Sequence, residues 1–368
     1  MRVNTHEVKF NLSYFIISLG GKKSGVFKKI SDQVQEWESK GLDFQIYVIT
    51  DYASADDWRS ICKNAQVSID KTGIWRFISR SLQLRKVSKQ TLGTLYVREI
   101  APLPFFRLFR ENDWIIELQT IQLNEIRERS KVKSLIYKFW YRTWFKNFDG
   151  YVCVSEEIRA KFKLDFDGKK SIVISNGVNL KQFQPLKIRN SNKQPNFFFI
   201  GDLTQSWQGT EQIFELASLI PLSEFHIVGP NNFESCAYAN IFIHGSLERE
   251  EYELIAENCD VAFGTLNQRS TGMHEASPLK VREYLKWGLP VIGRYQDTDF
   301  GNNLDFFLQL PDSSSPLSSF QEDILSFAHR WKGKRVPLED FKHLIDSNVK
   351  EKSRIGFFEE VRKSIHKF

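Results

Sequence analysis

The sequence is poor in the residues from which disulfides and metal sites are built. Its 368 residues include four cysteines, which are widely spaced and form neither a CxxC pair nor a Cys/His cluster. This pattern argues against a disulfide framework and a zinc site, and it predicts the reduced, mostly buried thiols of a cytosolic protein. The triplets DFD (165–167) and DTD (297–299) match a D-x-D metal pattern, but neither ends a clear strand. No metal site is therefore predicted.

Long apolar runs are also missing. No stretch approaches the roughly 18 apolar residues that a transmembrane helix needs. The run YFIISLG (14–20) has the length of one strand and lacks the flanks of a signal peptide. We expect a soluble protein in the cytoplasm, or one that lies peripherally on the inner face of the cell membrane.

Two signatures of nucleotide-handling proteins are absent as well. The stretch GGKKSG (20–25) fails the glycine-to-lysine spacing of a Walker A phosphate loop, and no nucleic-acid recognition motif is found. Charge is unevenly distributed, because residues 1–185 carry 31 Lys and Arg against 20 Asp and Glu, whereas residues 186–368 carry 20 against 25. The acidic C-terminal half argues against a nucleic-acid partner, and the asymmetry indicates two domains with different partners.

What the chain does contain is enough apolar material for two cores. Hydrophobic residues make up 41% of the sequence and aromatic residues 14%. Short apolar strands alternate with helical segments on both sides of the polar stretch KIRNSNKQPN (187–196), which is typical of doubly wound parallel sheets. We predict an α/β protein with two Rossmann-like domains at residues 1–185 and 186–340. A charged helical tail, 341–368, follows, and packing against the N-terminal domain is one option for it.

The stretch HEASPLKVREYLKWGLPVI (274–292) carries the pattern of an anion site. Ser277 is a good N-cap and Pro278 suits a first turn, so a helix is predicted to start here. A helix N-terminus binds phosphate, and Lys280 would add positive charge for the same anion. Glu283 lies about 9 Å further along the axis, where a carboxylate could accept hydrogen bonds from two ribose hydroxyls. Glu275 lies before the helix, where a sugar could bind. Phosphate between a ribose and a sugar describes a nucleotide sugar; the alternative is that both glutamates are ordinary solvated positions.

The spacing from Glu275 to Glu283, followed by YLKWGLPVI, resembles the E-x7-E donor motif of retaining glycosyltransferases of the GT-B fold, family 4. Other segments resemble motifs of this family in the same order, and the loop from Ser24 to Val26 is similar to its Gly-Gly-Val loop. These segments are YVCVSEEI, VISNGVNLKQF, FFFIGDL, FHIVGP, IFIHGSL and CDVAFGTL. The resemblance covers about residues 11–335 and is strongest from 150 to 295.

The resemblance implies two domains facing a cleft and transfer of a sugar from a UDP- or GDP-sugar with retention, without a metal or other cofactor. It implies catalytic roles for Glu275, at the hydroxyls of the transferred sugar, and for Lys280. The implied donor-binding residues are Gly25, Gly201, Gln208, Gly229, His244, Ser277, Pro278, Leu279 and Glu283. Among these, the backbone from Ser277 onward would hold the diphosphate and Glu283 the ribose. The base would lie near the Gly229 and His244 loops.

Two departures from the family pattern concern charge and catalysis. Gln208 stands where the family usually has a lysine, and no basic residue lies between 201 and 210. Lys280 is the first candidate to supply the missing charge, with Arg269, Arg282 and Arg294 as alternatives.

The second departure is the absence of any histidine between His6 and His226, because many relatives place one near the sugar on the acceptor side. Glu117 or Gln119 could occupy that place, although Glu117 could equally be a plain loop residue. No general base is assigned.

A basic, aromatic segment lies at residues 127–146. It contains seven Lys and Arg and one acidic residue, interleaved with large apolar side chains at helical spacing. Such a helix suits an anionic membrane surface; the alternative is that the aromatics are core residues and the charges are solvated.

These observations together predict a glycosyltransferase that uses a saccharide or lipid-linked acceptor, in bacterial polysaccharide or surface-glycan assembly. An alternative is a catalytically weak homologue that binds nucleotide or glycan as a partner subunit. A third possibility, a nucleotide-sugar epimerase of the same fold, would form product without any acceptor.

Overall fold

A computed structural model describes residues 11–365, except for residues 74, 100–111, 122–130, 167, 182, 231–237 and 302–303. In the helix at 131–145, the side chains of 131–134, 136 and 139 are also not described. The chain forms two compact units, one of Met1–Ile174 with Lys350–Phe368 and the other of Ser175–Val349.

Strands and helices alternate along most of the chain. The strands are β1 (Asn11–Ile17), β2 (Asp43–Thr50), β3 (Ala65–Ile69), β4 (Thr94–Arg98), β5 (Asp113–Leu118), β6 (Gly150–Cys153), β7 (Lys170–Val173), β8 (Phe197–Ile200), β9 (Phe225–Val228), β10 (Ile241–Ile243), β11 (Val261–Phe263), β12 (Glu275–Ala276), β13 (Val291–Gly293), β14 (Gln296–Asp297) and β15 (Phe307–Gln309). The helices are α1 (Gly25–Ser39), α2 (Ala55–Arg59), α3 (Trp75–Gln90), α4 (Lys131–Phe145), α5 (Glu156–Asp165), α6 (Thr210–Leu219), α7 (Arg249–Ala256), α8 (Leu279–Lys286), α9 (Gln321–Trp331), α10 (Leu338–Ile345) and α11 (Ser347–Ile365).

The first unit is built on a seven-stranded parallel sheet in the order β3-β2-β1-β4-β5-β6-β7. Its strands are apolar on both faces, as expected of parallel strands that are covered by helices on both sides. On one face, α1 buries Ile30, Val34 and Trp37 against the sheet. Helix α11, at the C-terminal end of the chain, adds Phe358 and Val361 to the same core.

The second unit repeats the plan with six parallel strands in the order β10-β9-β8-β11-β13-β15, and β12 and β14 form a small separate ladder. In both sheets the strand order reverses between the first and the fourth strand, which are β1 and β4 in one unit and β8 and β11 in the other. Ligands of doubly wound folds bind outside the carboxyl ends of the strands at such a reversal. In the second unit, this rule directs attention to the loops after β8 and β11.

The predicted fold class, α/β with two Rossmann-like parallel sheets, is confirmed. The division along the chain falls at 174/175, whereas the sequence analysis places the boundary at 185/186. The expected tail at 341–368 is also divided, because only residues from 350 onward belong to the first unit. In the described part of the chain, no helix is both long enough and apolar enough to cross a bilayer.

Candidate functional site

The helix predicted near residue 277 is present as α8, but it starts later than expected. Ser277 does not cap it: the Ser277 hydroxyl accepts a hydrogen bond from the backbone N–H of Asn176 at 2.8 Å. The Ser277 carbonyl oxygen also accepts one from the Asn176 side-chain amide at 2.5 Å. Pro278 therefore takes the cap position and Leu279 begins the helix, without a side-chain cap from the described residues. The backbone N–H of Val281 donates to the Pro278 carbonyl oxygen at 3.1 Å, which leaves the N–H groups of Leu279 and Lys280 available to an anion.

Lys280 lies on the first turn of α8 and faces the loop after β8. Its Nζ donates a hydrogen bond to the Gln208 side-chain oxygen at 2.5 Å and lies 4.0 Å from the centroid of the Phe199 ring. The side chain is half-buried, and among the described residues no carboxylate forms an ion pair with it. Burial lowers the pKa of the Lys280 ammonium well below its ordinary value. A bound anion would favour the charged form of this amine, whose hydrogen-bond acceptor among the described residues is a neutral amide.

Gln208 is fixed at the point where the strand order reverses. It is buried in a short 3-10 turn, Ser206–Gln208, that follows β8. Its carbonyl oxygen accepts a hydrogen bond from the backbone N–H of Leu266, in the loop after β11, at 3.2 Å. Gln208 and Lys280 therefore meet at the edge of the sheet where the fold predicts a ligand.

Two glycines keep this edge open. A Cβ at Gly201 would lie 3.0 Å from the Phe199 ring and 3.1 Å from the Gln208 side chain. Gly229 has a φ of 139°, and a Cβ there would lie 1.9 Å from the Gly201 carbonyl oxygen. Gly229 needs glycine for both space and conformation, whereas a side chain at Gly201 would require Phe199 and Gln208 to shift by a few tenths of an ångström.

Glu275 lies on β12, four residues before the start of α8. Its backbone pairs in parallel register with Gln296 of β14, and its side chain is half-buried. The adjacent Ala276 accepts a hydrogen bond from the backbone N–H of Thr298 at 3.1 Å. This small ladder fixes the backbone of Glu275 just before the start of the helix.

Glu283 lies one helical turn beyond Lys280 on α8 and is half-buried. The Tyr252 hydroxyl of α7 donates a hydrogen bond to its carboxylate at 3.2 Å. Burial, and then the charge of Glu283, raise the pKa of Tyr252, so this phenol stays a donor. The contact orients Glu283, and a carboxylate retains acceptor capacity for further hydroxyl groups.

The two loops expected to flank a base contact each other. The backbone N–H of Gly229 donates to the carbonyl oxygen of Gly245 at 2.8 Å. His244 lies beside this contact, and its Nε2 is 3.1 Å from Nδ1 of His226, whose Nε2 is 3.3 Å from the Glu224 carboxylate. Burial lowers the pKa of both imidazoles, which favours neutral rings.

Of the three arginines named as alternatives to Lys280, two bind other protein groups and the third is exposed. Arg282 is buried and its guanidinium binds Asp297 at 2.5 Å and Asp299 at 2.6 Å. The triplet DTD (297–299) therefore binds an arginine. Buried Arg294 donates hydrogen bonds to Gln212 and to carbonyl oxygens of the loop at 311–313. Arg269 is exposed on a short 3-10 turn. Within the described ranges, no group of three or more His, Cys, Asp or Glu side chains could hold a metal ion.

In the first unit, the structure shows that Glu117 is not a loop residue. It lies inside β5, completely buried, and its carboxylate accepts hydrogen bonds from Lys29 at 2.8 Å, Tyr14 at 3.1 Å and Arg354 at 3.3 Å. Burial would raise its pKa, but the charges of Lys29 and Arg354 prevail and lower it to about 2. A carboxylate held by this many donors is suited to a structural role and poorly suited to act as a base.

Gln119 and Gly25 lie at the carboxyl edge of the first sheet. Gln119 follows β5, accepts a hydrogen bond from Lys29 at 3.3 Å, and its buried side-chain nitrogen has no hydrogen-bond partner among the described residues. Gly25 is the first residue of α1, whose cap Ser24 accepts a hydrogen bond from the backbone N–H of Phe27 at 3.1 Å.

The predicted basic helix is present as α4, and its described side chains divide between two surroundings. Four aromatic side chains are buried; they are Tyr137, Tyr141, Trp144 and Phe145. Leu135 is 73% exposed and Trp140 is 41% exposed. Residues 127–130, which begin the predicted segment, lie outside the described part of the chain.

Three side chains that position this site were missed in the sequence. Asn176 binds Ser277, Tyr252 binds Glu283, and the Tyr284 hydroxyl accepts a hydrogen bond from the backbone N–H of Ile200 at the end of β8, at 2.8 Å. Asn176 had a signal, since it stands in the Asn-Gly pair of VISNGVN. The two tyrosines had no such signal, because an aromatic residue on an amphipathic helix is predicted to be a core residue.

No family model matches the sequence, and no curated protein matches it. Solved structures do match over nearly the whole chain. A sucrose-phosphate synthase from Thermosynechococcus elongatus is 13% identical, with 96% of this chain and 100% of that chain covered and a TM-score of 0.69. Anabaena HepE, solved with UDP and glucose, is 12% identical, with 94% and 99% covered and a TM-score of 0.66. The pneumococcal O-GlcNAc transferase GtfA, solved with UDP and GlcNAc, is 11% identical, with 98% and 100% covered and a TM-score of 0.65. At this identity the likeness establishes the fold, which is that of GT-B glycosyltransferases.

Proposed function

We propose that the protein is a glycosyltransferase that takes its sugar from a nucleoside diphosphate sugar held by the second unit. One observation carries the proposal: Lys280 is a half-buried lysine without a described carboxylate partner, at the N-terminus of α8 and at the reversal of strand order. A helix terminus and a lysine together form a site for a diphosphate. The matched structures support the proposal, since HepE and GtfA were solved with UDP and a sugar.

The proposed roles follow the order of residues around α8. The N–H groups of Leu279 and Lys280 and the Lys280 ammonium bind the diphosphate and stabilise the charge that develops when it leaves. Glu283 accepts hydrogen bonds from the ribose hydroxyls, with its carboxylate oriented by Tyr252. Glu275 contacts hydroxyls of the transferred sugar from the β12 side.

The reaction is a substitution at the anomeric carbon. The bond from this carbon to the diphosphate oxygen breaks, an acceptor hydroxyl oxygen forms the new bond, and its proton leaves with the departing diphosphate or to solvent. We further propose retention of configuration and family 4 membership, on the E-x7-E resemblance. A saccharide or lipid-linked acceptor in bacterial surface-glycan assembly, with peripheral association through the segment at 127–146, is proposed on the same resemblance and on the exposed Leu135 and Trp140.

Calorimetric titration of the full chain with UDP and with GDP, without added metal, tests the donor site. We expect micromolar binding of one nucleotide and at least tenfold weaker binding by Glu283→Ala, the loss of one charged hydrogen-bonding group. Glu322→Ala is the matched control, because Glu322 is exposed on α9 of the same unit. Absence of binding for both nucleotides would overturn the proposal.

The second candidate, a catalytically weak homologue that acts as a partner subunit, is favoured by one observation. Gln208 is neutral where the resembling family usually has a lysine, and its side-chain oxygen accepts a hydrogen bond from the Lys280 ammonium. Sugar transfer that disappears in Glu275→Ala while nucleotide binding persists would favour the enzyme. Nucleotide binding without transfer or hydrolysis of any donor would favour the partner subunit, and product formed without acceptor would favour the epimerase.

A further inference from the structure

A shallow groove of about 580 Å³ runs along the outer face of α3 in the first unit. Its lining includes Lys71 from the preceding loop and Trp75, Ile78, Leu82 and Lys86 of the helix, which recur at helical spacing on one side. Trp75 is 68% exposed and Leu82 is 59% exposed. The opposite side of α3 is the side that packs, since it carries buried residues such as Leu84 and Val87. Helix α3 therefore has two apolar sides, and one of them faces outward.

The charge of α3 is of one sign. Its sixteen residues include five basic side chains and no acidic one; the basic residues are Arg76, Arg80, Arg85, Lys86 and Lys89. Asp70, in the loop before the helix, pairs with Arg80 at 2.7 Å and with Arg76 at 3.2 Å. The lysines at the two ends of the groove, Lys71 and Lys86, form no ion pair with any described residue. The groove is thus an apolar centre with a positive charge at each end.

Helix α4 shares these properties and lies on the same side of the sheet. The connections from β3 to β4 and from β5 to β6 run in the same direction across the sheet, opposite to the connection from β1 to β2. Right-handed crossovers therefore place α3 and α4 on one face and α1 on the other. Helix α4 also lacks acidic residues and exposes Leu135 and Trp140. Two acid-free helices with outward apolar side chains lie on this face, and a pair of such helices fits an extended anionic surface better than a single peptide.

We propose that the outer face of α3 docks the protein on an anionic lipid bilayer, with Trp75 and Leu82 at the headgroup boundary and Lys71 and Lys86 on lipid phosphates. An indole suits the interface because its ring is amphipathic. Lysines beside it extend their ammonium groups to the phosphates while their stems lie on apolar surface. The site is separate from the 127–146 segment and does not depend on sugar transfer.

Vesicle flotation of the full chain, without nucleotide, tests the docking. We compare vesicles of phosphatidylcholine alone with vesicles in which about one third is phosphatidylglycerol. We expect binding to the anionic vesicles only, weakened by salt because the attraction is electrostatic. Lys71→Gln with Lys86→Gln should lower the partition coefficient about 25-fold, at about fivefold for each charge. Trp75→Ala with Leu82→Ala should lower it at least tenfold.

Matched controls come from the second unit, where Leu222 is 75% exposed and Lys193 is also exposed. Leu222→Ala with Lys193→Gln should leave partitioning unchanged, and thermal unfolding should show that all variants fold. The proposal is overturned if the chain binds neither vesicle, or if the α3 variants bind as the parent does. It is equally overturned if only Leu135→Ala with Trp140→Ala reduces binding, which would assign docking to α4, or if binding is indifferent to lipid charge.

Discussion

Lys280 and Gln208 are 72 residues apart in the chain and joined by a hydrogen bond of 2.5 Å at the edge of the second sheet. The amide satisfies the ammonium without neutralising it. A carboxylate in place of the amide would hold the lysine more strongly but would compete with any anionic ligand. The pairing with Gln208 therefore places no opposite charge beside Lys280, so a bound anion can stabilise its ammonium form, and the neutral Gln208 is compatible with the proposed donor site.

This relationship predicts effects of different size for two substitutions at position 208. Gln208→Glu should lower nucleotide affinity at least tenfold, because the new carboxylate pairs with Lys280 and repels the diphosphate. Gln208→Ala should change affinity only a few-fold, since it removes one hydrogen bond and no charge. Calorimetric titration with UDP or GDP distinguishes them. Equal effects of the two substitutions would show that Lys280 does not contact the nucleotide.

The lowered pKa of Lys280 predicts proton uptake on nucleotide binding. In the nucleotide-free protein, burial favours the neutral amine, whereas a bound diphosphate favours the ammonium. Between the lowered pKa and the ordinary value of about 10.4, binding should therefore take up to one proton per nucleotide. Titrations in buffers of different ionisation enthalpy measure this number. Lys280→Met should abolish the uptake, and Lys286→Met, on the last turn of the same helix, should retain it.

The same group makes a prediction about stability. The folded pKa of Lys280 lies below the unfolded one, so the unfolded chain binds more protons in that pH window. The contribution of Lys280 to the free energy of unfolding should rise as pH rises from the folded pKa to the unfolded pKa. Lys280→Met should remove this pH dependence and raise the melting temperature of the nucleotide-free protein near neutral pH, while weakening nucleotide binding. A melting temperature that falls in this variant would contradict the interpretation.

Features of the fold and of the site that depend on neighbouring residues could be predicted from the sequence, whereas those that depend on partners far away in the chain could not. The alternation of strands and helices and the start of α8, to within two residues, follow from local propensity and hydrophobic pattern. The prediction that Ser277 caps α8 was wrong, because its hydroxyl accepts a hydrogen bond from Asn176, which is 101 residues away in the chain. The sequence also does not show that Glu117 is buried and paired, because one of its partners, Arg354 of α11, is 237 residues away in the chain. Local patterns carry no information about such partners.

The buried position of Glu117 predicts a large effect on stability and none on nucleotide binding. Glu117→Gln should lower the free energy of unfolding by about 3–5 kcal/mol, because it leaves Lys29 and Arg354 buried with less compensation. The matched control is Glu360→Gln, whose partner Lys170 is at the surface, and it should cost at most about 1 kcal/mol. Urea unfolding measures both.

The pKa of Glu117 also fixes the direction of a pH effect. Its folded value of about 2 lies below the ordinary value of 4.5, so its stabilisation is present above pH 4.5 and is lost as pH falls towards 2. Glu117→Gln should flatten this acid limb of the stability profile. Unchanged acid sensitivity in the variant would assign the loss of stability to other carboxylates.

The proposed role of Glu283 can be isolated by changing the ligand together with the protein. If its carboxylate binds the ribose, removing the ribose 2′-hydroxyl and removing the carboxylate delete the same interaction. The parent protein should bind 2′-deoxy-UDP about tenfold more weakly than UDP, if UDP is the nucleotide bound, whereas Glu283→Ala should bind the two about equally. Tyr252→Phe removes the hydroxyl that orients Glu283 but keeps the carboxylate. Its preference for UDP over 2′-deoxy-UDP should therefore be intermediate between those of the parent and of Glu283→Ala. Additive losses, with Glu283→Ala still discriminating between the two nucleotides, would place the ribose elsewhere.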